Sequence, residues 1–501
     1  METKKTRKIA STELGIDATD RLSSLPDEVI SQILSFLQTK YAVGTAVLSR
    51  RWKDLWTRVS NLDLDNELIY QPAPGNIAFQ SLPLDEQEKY KEGSLPALEV
   101  LGRRLLEFSR FVERVLSHHK DLNSVRRFRF HCSIGVREGE LRPGFWFTRE
   151  WVFGHLLEEI DIVIEGQIAG VGGRYLPQNF YTLKNLRVVK LKGVILSSAK
   201  ASIFLPFLPS AKILQLRNVV FPDFESLSCL ISGCPVLETA ILEGCFVPHN
   251  EQNILMVSLP YLKTLKMIEF GNTCMCPIVI EAPNLEELHL EEFAEIKFVG
   301  SSTLSCLHSA HVDVGRCDGC SNHVLYGILQ QICNAKKMFL SGKTMNLLRV
   351  SNHLPLPIFP KLTHLTIGNG GRSRSLHSFL NSASKLQSLI NLGIPFWNME
   401  WGVLETSRTP ECLLSSLEEI EIKDLVAHED HRKLIAYLLN AGAVLKKMDI
   451  HIKEYILNIK KREFFASLLK LQRGSSHCEA RVLLANNEEI RISSDNETGI
   501  D

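Results

Sequence analysis

The sequence has no excess charge of either sign. Lys plus Arg and Asp plus Glu number 57 each, so no global field draws the chain to nucleic acid or an anionic membrane, and binding must be local. Long hydrophobic runs are missing too. Lys or Arg interrupts every long apolar stretch before about 18 residues, and the opening METKKTRKIASTELG lacks a secretory apolar core. A soluble intracellular chain is expected, in nucleus and/or cytoplasm, with no membrane partner. SGKT at 341–344 ends like a phosphate loop, but the earlier glycine that loop requires falls at Lys337, so the segment reads as a turn. Cys317, Cys320 and His323, with His311 upstream, have ligand-like spacing but no second, similarly spaced pair; no metal or other cofactor is expected. No recognised nucleophile motif picks out a Ser, His and Asp set, so no catalytic residue is assigned and no enzyme is expected. The twelve cysteines are scattered through apparent strands and helices, Cys274 and Cys276 at repeat edges, and read as reduced, mostly buried thiols. His118 and His119 end an expected helix, where solvated positive charge suits the dipole. KKTRK at 4–8 reads as part of a disordered basic tail, with nuclear import or contact with an acidic polymer as the alternatives.

What is present is apolar pattern. At 501 residues and 45% apolar content the chain has the means for a substantial core. Residues 21–56, RLSSLPDEVISQILSFLQTKYAVGTAVLSRRWKDLW, predict two helices. Ser24 is placed to cap the first, with Pro26, Asp27 and Glu28 in its opening turn. Leu25, Val29, Ile30, Ile33, Leu34 and Leu37 then make one broad stripe. After a break at Gln38, Thr39 and Lys40, a second stripe holds Val43, Val47, Leu48, Trp52, Leu55 and Trp56, with Gly44 inside the helix at a cost of about 1 kcal/mol. This apolar surface is too wide for so small a segment to bury alone, so it requires a partner.

The run from LPDEVI through ILSFLQTKYAV to VLSRRWKDLW resembles the F-box of plant proteins, departing at Tyr41, where the family usually has an acidic residue. The resemblance implies docking onto a Skp-type adaptor and, through it, a cullin ubiquitin ligase. Leu25, Pro26, Ile30, Leu34, Leu48, Trp52 and Trp56 are the adaptor contacts it implies by position; Val29, Ile33, Leu37, Val43, Val47 and Leu55 complete the candidate surface.

Beyond it the chain repeats. Segments of the shape apolar-x-x-apolar-x-apolar begin at Val125, Leu157, Leu186, Ala211, Leu237, Leu262, Leu285, Leu307, Ala335, Leu362, Leu417 and Leu445, with an imperfect one at Leu386. Successive starts are 22 to 32 residues apart, close to the period of leucine-rich repeats. Each unit predicts a short strand, a turn and a returning apolar segment, and stacking gives a parallel sheet with a continuous core behind it. LPSAK, CPVLE, LPYLK, APNLE and FPKLT fix the backbone just before several strands. The segments resemble the plant F-box repeat type and lack the asparagine ladder of regular leucine-rich repeats, so an uneven, partly closed arc is expected. Lys190, Gln215, Lys266 and His289 occupy variable strand positions and are the candidate target-binding residues on its concave face.

Residues 71–96 read as an exposed connection, and ALEVLGRRLLEFSRFVERVLSHH as a helix capping the first repeat edge. Residues 411–485, through Cys412, Leu413, Tyr437, Leu445, Met448 and Cys478, resemble the FBD domain that follows such repeats. The expected organisation is an α/β chain: disordered basic tail 1–19, helical F-box 20–60, linker and capping helix 61–120, an irregular leucine-rich-repeat solenoid 121–410, FBD 411–485 and a disordered tail 486–501. The resemblance implies a non-catalytic substrate receptor that holds a protein target for ubiquitination and degradation. The alternative is a scaffold without target turnover; nucleic acid is disfavoured as a partner.

Overall fold

The structure is a computed structural model of the full chain. It describes residues 22, 24–66, 95–133, 154–165, 176, 180–181, 183–196, 208–247, 255–269, 277–292, 295–298, 304–314, 322–348, 356–369, 373–393, 408–425, 428–452, 464, 467–468, 470–483 and 489–492. The basic tail, most of the 71–96 connection, Cys274, Cys276, Cys317 and Cys320 lie outside these residues, and the side chain of His323 does too.

Every segment of the repeating pattern becomes a strand two residues after its first apolar position, including the imperfect one at Leu386. The strands are β1 (Asn61–Asp65), β2 (Arg127–Ser133), β3 (Glu159–Glu165), β4 (Val188–Lys192), β5 (Ile213–Arg217), β6 (Thr239–Glu243), β7 (Leu255–Ser258), β8 (Thr264–Ile268), β9 (Pro277–Glu281), β10 (Glu287–Glu291), β11 (Glu295–Phe298), β12 (Ser309–Asp313), β13 (Lys337–Leu340), β14 (His364–Ile367), β15 (Ser388–Asn391), β16 (Glu419–Leu425), β17 (Lys447–Ile452), β18 (Glu479–Leu483) and β19 (Glu489–Ile492). Sixteen form one open sheet running from β1 to β19, parallel until the antiparallel final pair; β7, β9 and β11 form a second, three-stranded sheet.

The proline motifs explain where strands start. In all five, the residue before proline accepts a turn hydrogen bond three residues on: Ala211 donates to Leu208 at 3.1 Å, Leu237 to Cys234 at 3.2 Å, Leu262 to Leu259 at 3.2 Å, Leu285 to Ala282 at 3.2 Å and Leu362 to Phe359 at 3.4 Å. Proline presets the turn and the leucine or alanine drops into the core. Strand ends carry a second device. Gly193, Asn218, Gly244, Glu269 and Glu292 sit at φ of 48° to 69° immediately after their strands. Their N–H groups continue the ladder, as in Gly193 to Arg217 at 2.9 Å and Glu292 to Asp313 at 2.9 Å.

Burial that alternates along most of the described strands puts one residue set into a single core running from Ile30 to Val482. Behind the sheet lie the helices Phe224–Ser232, Asn322–Gln331, Gly342–Leu348, Ser373–Ser382 and Glu429–Ala441. Strands β16, β17 and β18, in the stretch 411–485, prolong the same sheet in register, so that region adds rungs to the array.

Several expectations are corrected. The sheet begins at β1, inside the stretch assigned to linker, and ends at β19, inside the stretch assigned to a disordered tail. Both read as polar in sequence, but alternation in NLDLD and EIRI suffices when a neighbouring edge supplies the hydrogen bonds. SGKT begins the helix Gly342–Leu348, the Thr344 N–H donating to Ser341 Oγ at 3.2 Å. The first helix, Asp27–Leu34, has Pro26 at its N-cap and no side-chain cap, so Ser24 does not cap it. The expected second helix is three pieces, Thr39–Gly44, Thr45–Val47 and Trp52–Arg58, the last two 3₁₀; helix-weakening Gly44 ends the α-helical part. His119 is buried, and its Nε2 donates to the Val59 carbonyl at 2.9 Å. Burial lowers its pKa, so it is a neutral tie between the helix Leu95–His118 and the helical module.

Candidate functional site

The N-terminal module divides into a fixed side and a free one. Ile30, Leu34, Trp52 and Leu55 are buried, Trp52 at 8% exposure; three residues per turn align Trp52 with Leu55 and leave Trp56 only half-buried. Leu25, Val43 and Trp56 pack partly against this core. Pro26, Val29, Ile33, Leu37, Val47 and Leu48 are exposed, Val47 at 87% and Leu48 at 64%. Phe36, which the sequence reading passed over, is 82% exposed. Its signal was adjacency to the stripe in SFL, which helical periodicity discounts. Arg51 was missed as well: it donates to Asp27 Oδ1 at 2.9 and 2.8 Å and to the Leu25 carbonyl, tying the last helical piece to the start of the first.

The fixed side is built into the sheet edge. Ser60 N–H donates to Ser35 Oγ at 3.0 Å, Asn61 Nδ2 to the Ser35 carbonyl at 2.9 Å and Asp63 N–H to Thr39 Oγ1 at 2.7 Å. Two buried hydroxyl residues of the module thereby supply outer partners for β1, where a free edge would otherwise present unpaired donors.

The four candidate target-binding residues fall on one row. Lys190 is in register with Gln215, Gln215 with Ile241, Ile241 with Lys266 and Lys266 with His289. The row extends both ways, upstream through Asp161, Arg129 and Asp63 and downstream through His311, Phe339, Thr366, Ile390, Glu421, Asp449 and Arg481, one residue per strand. All except the buried Asp449 are half-buried on the face opposite the core.

Its ends are ionic and its middle aromatic. Arg129 bonds Asp63 at 2.8 Å and Asp65 at 3.0 Å, and His131 Nε2 approaches Asp161 at 3.1 Å. Burial would raise the Asp161 pKa, but the His131 hydrogen bond and charge, with Lys190 and Arg129, hold it below the usual carboxylate range. At the other end, the same contest at Asp449 is won by Arg481 and Lys447, which lower it. In the middle, His289 stacks on His311 at 3.8 Å and His311 on Phe339 at 4.0 Å. Burial, then the charges of His289 and Lys266, push His311 down to about 4. A cleft of about 240 Å³ joins the two surfaces, lined by Phe36 and Leu37 of the module and by Asp63, Arg129, Asp161 and Lys190 of the row.

Among the described cysteines, Cys132, Cys234 and Cys245 are pushed up to about 12 by burial, which makes them inert packing thiols. No described helix is long and apolar enough to cross a membrane.

Three family models match this chain: an F-box domain over residues 22–64, the leucine-rich repeats of the FBD-associated F-box protein At5g56370 over 157–314, and FBD over 405–450. The FBD-associated F-box protein At5g27750 of Arabidopsis thaliana is 28% identical over 484 residues, covering 92% of this chain and 98% of its own. The putative F-box/FBD/LRR-repeat protein At5g22670 of the same plant is 28% identical over 495 residues, covering 94% and 99%. A chain in the crystal structure of a TLR13–ssRNA13 complex aligns with 72% of this one and 60% of its own at 14% identity and a TM-score of 0.25, too loosely for argument.

Proposed function

We propose that this chain, which carries an F-box, leucine-rich repeats and an FBD region in the manner of the plant FBD-associated F-box proteins, is a non-catalytic substrate receptor of a Skp-cullin-F-box ubiquitin ligase. The observation that carries the reading is the free face of the helical module. Val29, Ile33, Leu37, Val47 and Leu48 leave apolar surface in water while Ile30, Leu34, Trp52 and Leu55 hold the module to the sheet. Apolar surface grouped in this way marks a protein interface. The exposed residues contact the Skp-type adaptor on this reading, Leu25, Pro26, Val43 and Trp56 border the contact, and the buried ones position it.

The row on the open face holds the protein target, with Lys190, Gln215, Lys266 and His289 at its centre. The receptor contributes proximity: a bound target meets the ubiquitin-transfer machinery at high effective concentration. The neutral chain gives no general attraction for polyanions, which disfavours nucleic acid as the target.

Co-purification of the intact chain with a Skp-type adaptor and a cullin tests the first half. Unchanged adaptor capture by a folded Leu25→Ala/Pro26→Ala variant and by a folded Leu48→Asp variant would remove the F-box reading. Affinity capture under proteasome inhibition, followed by a ubiquitination assay, tests the second half. Targets that accumulate with ubiquitin attached support a receptor, whereas stable partners left unmodified would favour a scaffold.

A further inference from the structure

We propose that His289, Glu291 and His311 form a binding site for a divalent transition metal, zinc(II) being the ion their chemistry fits best. His289 and Glu291 are two residues apart on β10 and therefore share its open face. His311 is the in-register neighbour of His289 on β12. One ligand atom from each residue lies within 4.8 Å of the other two, and His289 Nε2 stands 3.3 Å from Glu291 Oε2. Ligand atoms around tetrahedral zinc sit about 3.3 Å apart. Filling the site therefore calls for side-chain rotation that shortens the remaining ligand–ligand distances from within 4.8 Å to that spacing.

The surroundings hold these groups in place. The two imidazoles stack at 3.8 Å with 29° between their planes, closer than the roughly 5 Å that two rings on one tetrahedral ion take up, so filling the site opens the stack. Phe339 supports the outer face of His311 at 4.0 Å. Asp313, in register with Glu291, adds a second carboxylate beside the site and accepts a hydrogen bond from Ser341 Oγ at 2.5 Å. Lys266, in register on the other side of His289, is the opposing charge, but its long stem is free to carry the ammonium aside. Two imidazoles and one carboxylate select zinc, nickel or copper over magnesium or calcium, which prefer all-oxygen shells. Three protein ligands leave a fourth position open toward the face of the sheet. The inference stands apart from the receptor reading, because chelation requires neither adaptor nor target.

Equilibrium dialysis of the intact reduced chain against Zn²⁺ tests it, comparing wild type with His289→Ala/His311→Ala, Glu291→Gln and the control His308→Ala. We expect one zinc equivalent to disappear in the double variant, Glu291→Gln to weaken binding by about tenfold or more, and His308→Ala to change nothing. Cobalt(II) in place of zinc should give a visible spectrum without thiolate charge transfer, lost in the double variant. Equal zinc stoichiometry in wild type and double variant overturns the proposal. So does unchanged affinity in Glu291→Gln, a near-isosteric change that leaves folding intact.

Discussion

Burial holds His119 neutral, outweighing the pull of the Val59 carbonyl and of Asp121 toward the charged ring. Nε2 is committed to the Val59 carbonyl and Nδ1 is buried without a partner. Its folded pKa lies below the ordinary value of 6.5, so below that pH the unfolded chain binds the proton more readily. The stability tied to this neutral form is therefore present above about pH 6.5 and lost as pH falls from there through the folded pKa. Urea midpoints at pH 7.5 and 5.5 should differ less for His119→Gln, which keeps a donor at the ring position, than for wild type; an identical difference would reject the assignment. Gly193 is a second position where one atom decides. At φ +69° an added Cβ would lie 2.0 Å from the Ile164 carbonyl oxygen, so Gly193→Ala should destabilise by roughly 2 kcal/mol or more, read as a fall in unfolding midpoint.

The helical module shows which features an element's sequence discloses. A wide apolar stripe announced that it binds something, but periodicity gives the same weight to Ile30, turned into the chain, and Ile33, turned out. The partition depends on β1, whose NLDLD pattern is short, polar on alternate positions and 66 residues ahead of its partner β2 by register. Mutations should separate the two sides. Leu48→Asp should abolish adaptor capture at unchanged stability, while Trp52→Ala should cost about 3 kcal/mol of folding and lose capture only by unfolding the module. Thermal melts run beside the capture assay distinguish these outcomes. At the seam, Thr39→Val removes the acceptor for the Asp63 N–H and should cost about 1–2 kcal/mol, with faster amide exchange at Asp63.

Across the whole molecule, the repeat architecture was the most legible feature. All thirteen segments marked in sequence became strands, because each carries its own buried apolar residues and needs only a neighbour to stack on. The ends were illegible for the converse reason: β1 and β19 are strands only through what adjoins them. The open-face row was half legible. Spacing located Lys190, Gln215, Lys266 and His289, whereas the stacking of His289, His311 and Phe339 required the register. Replacing those four candidates together with residues of opposite or no charge should weaken target capture and leave adaptor binding intact. Retained capture would move the target site to the loops or the FBD region. Deleting the Leu237 unit should expose apolar surface and cause aggregation, since β5 and β8 would lose the rung between them; a soluble product with unchanged protease resistance would indicate independent domains.

If the chain acts as a receptor, the hydroxyls of Ser35 and Thr39 also make the two ends of that task thermodynamically linked. Whatever holds the helical module folded also holds the first rung, and each rung holds the next with diminishing force, as in any nearest-neighbour array. An adaptor present at a hundred times its dissociation constant stabilises the module by about 2.7 kcal/mol. Part of that should surface as slower amide exchange in β1 and β2, fading toward β5. On the receptor reading, the chain outside its complex is then a looser surface at the start of the row, and docking stiffens that near end first, with Lys190 on β4 feeling it more than His289 on β10.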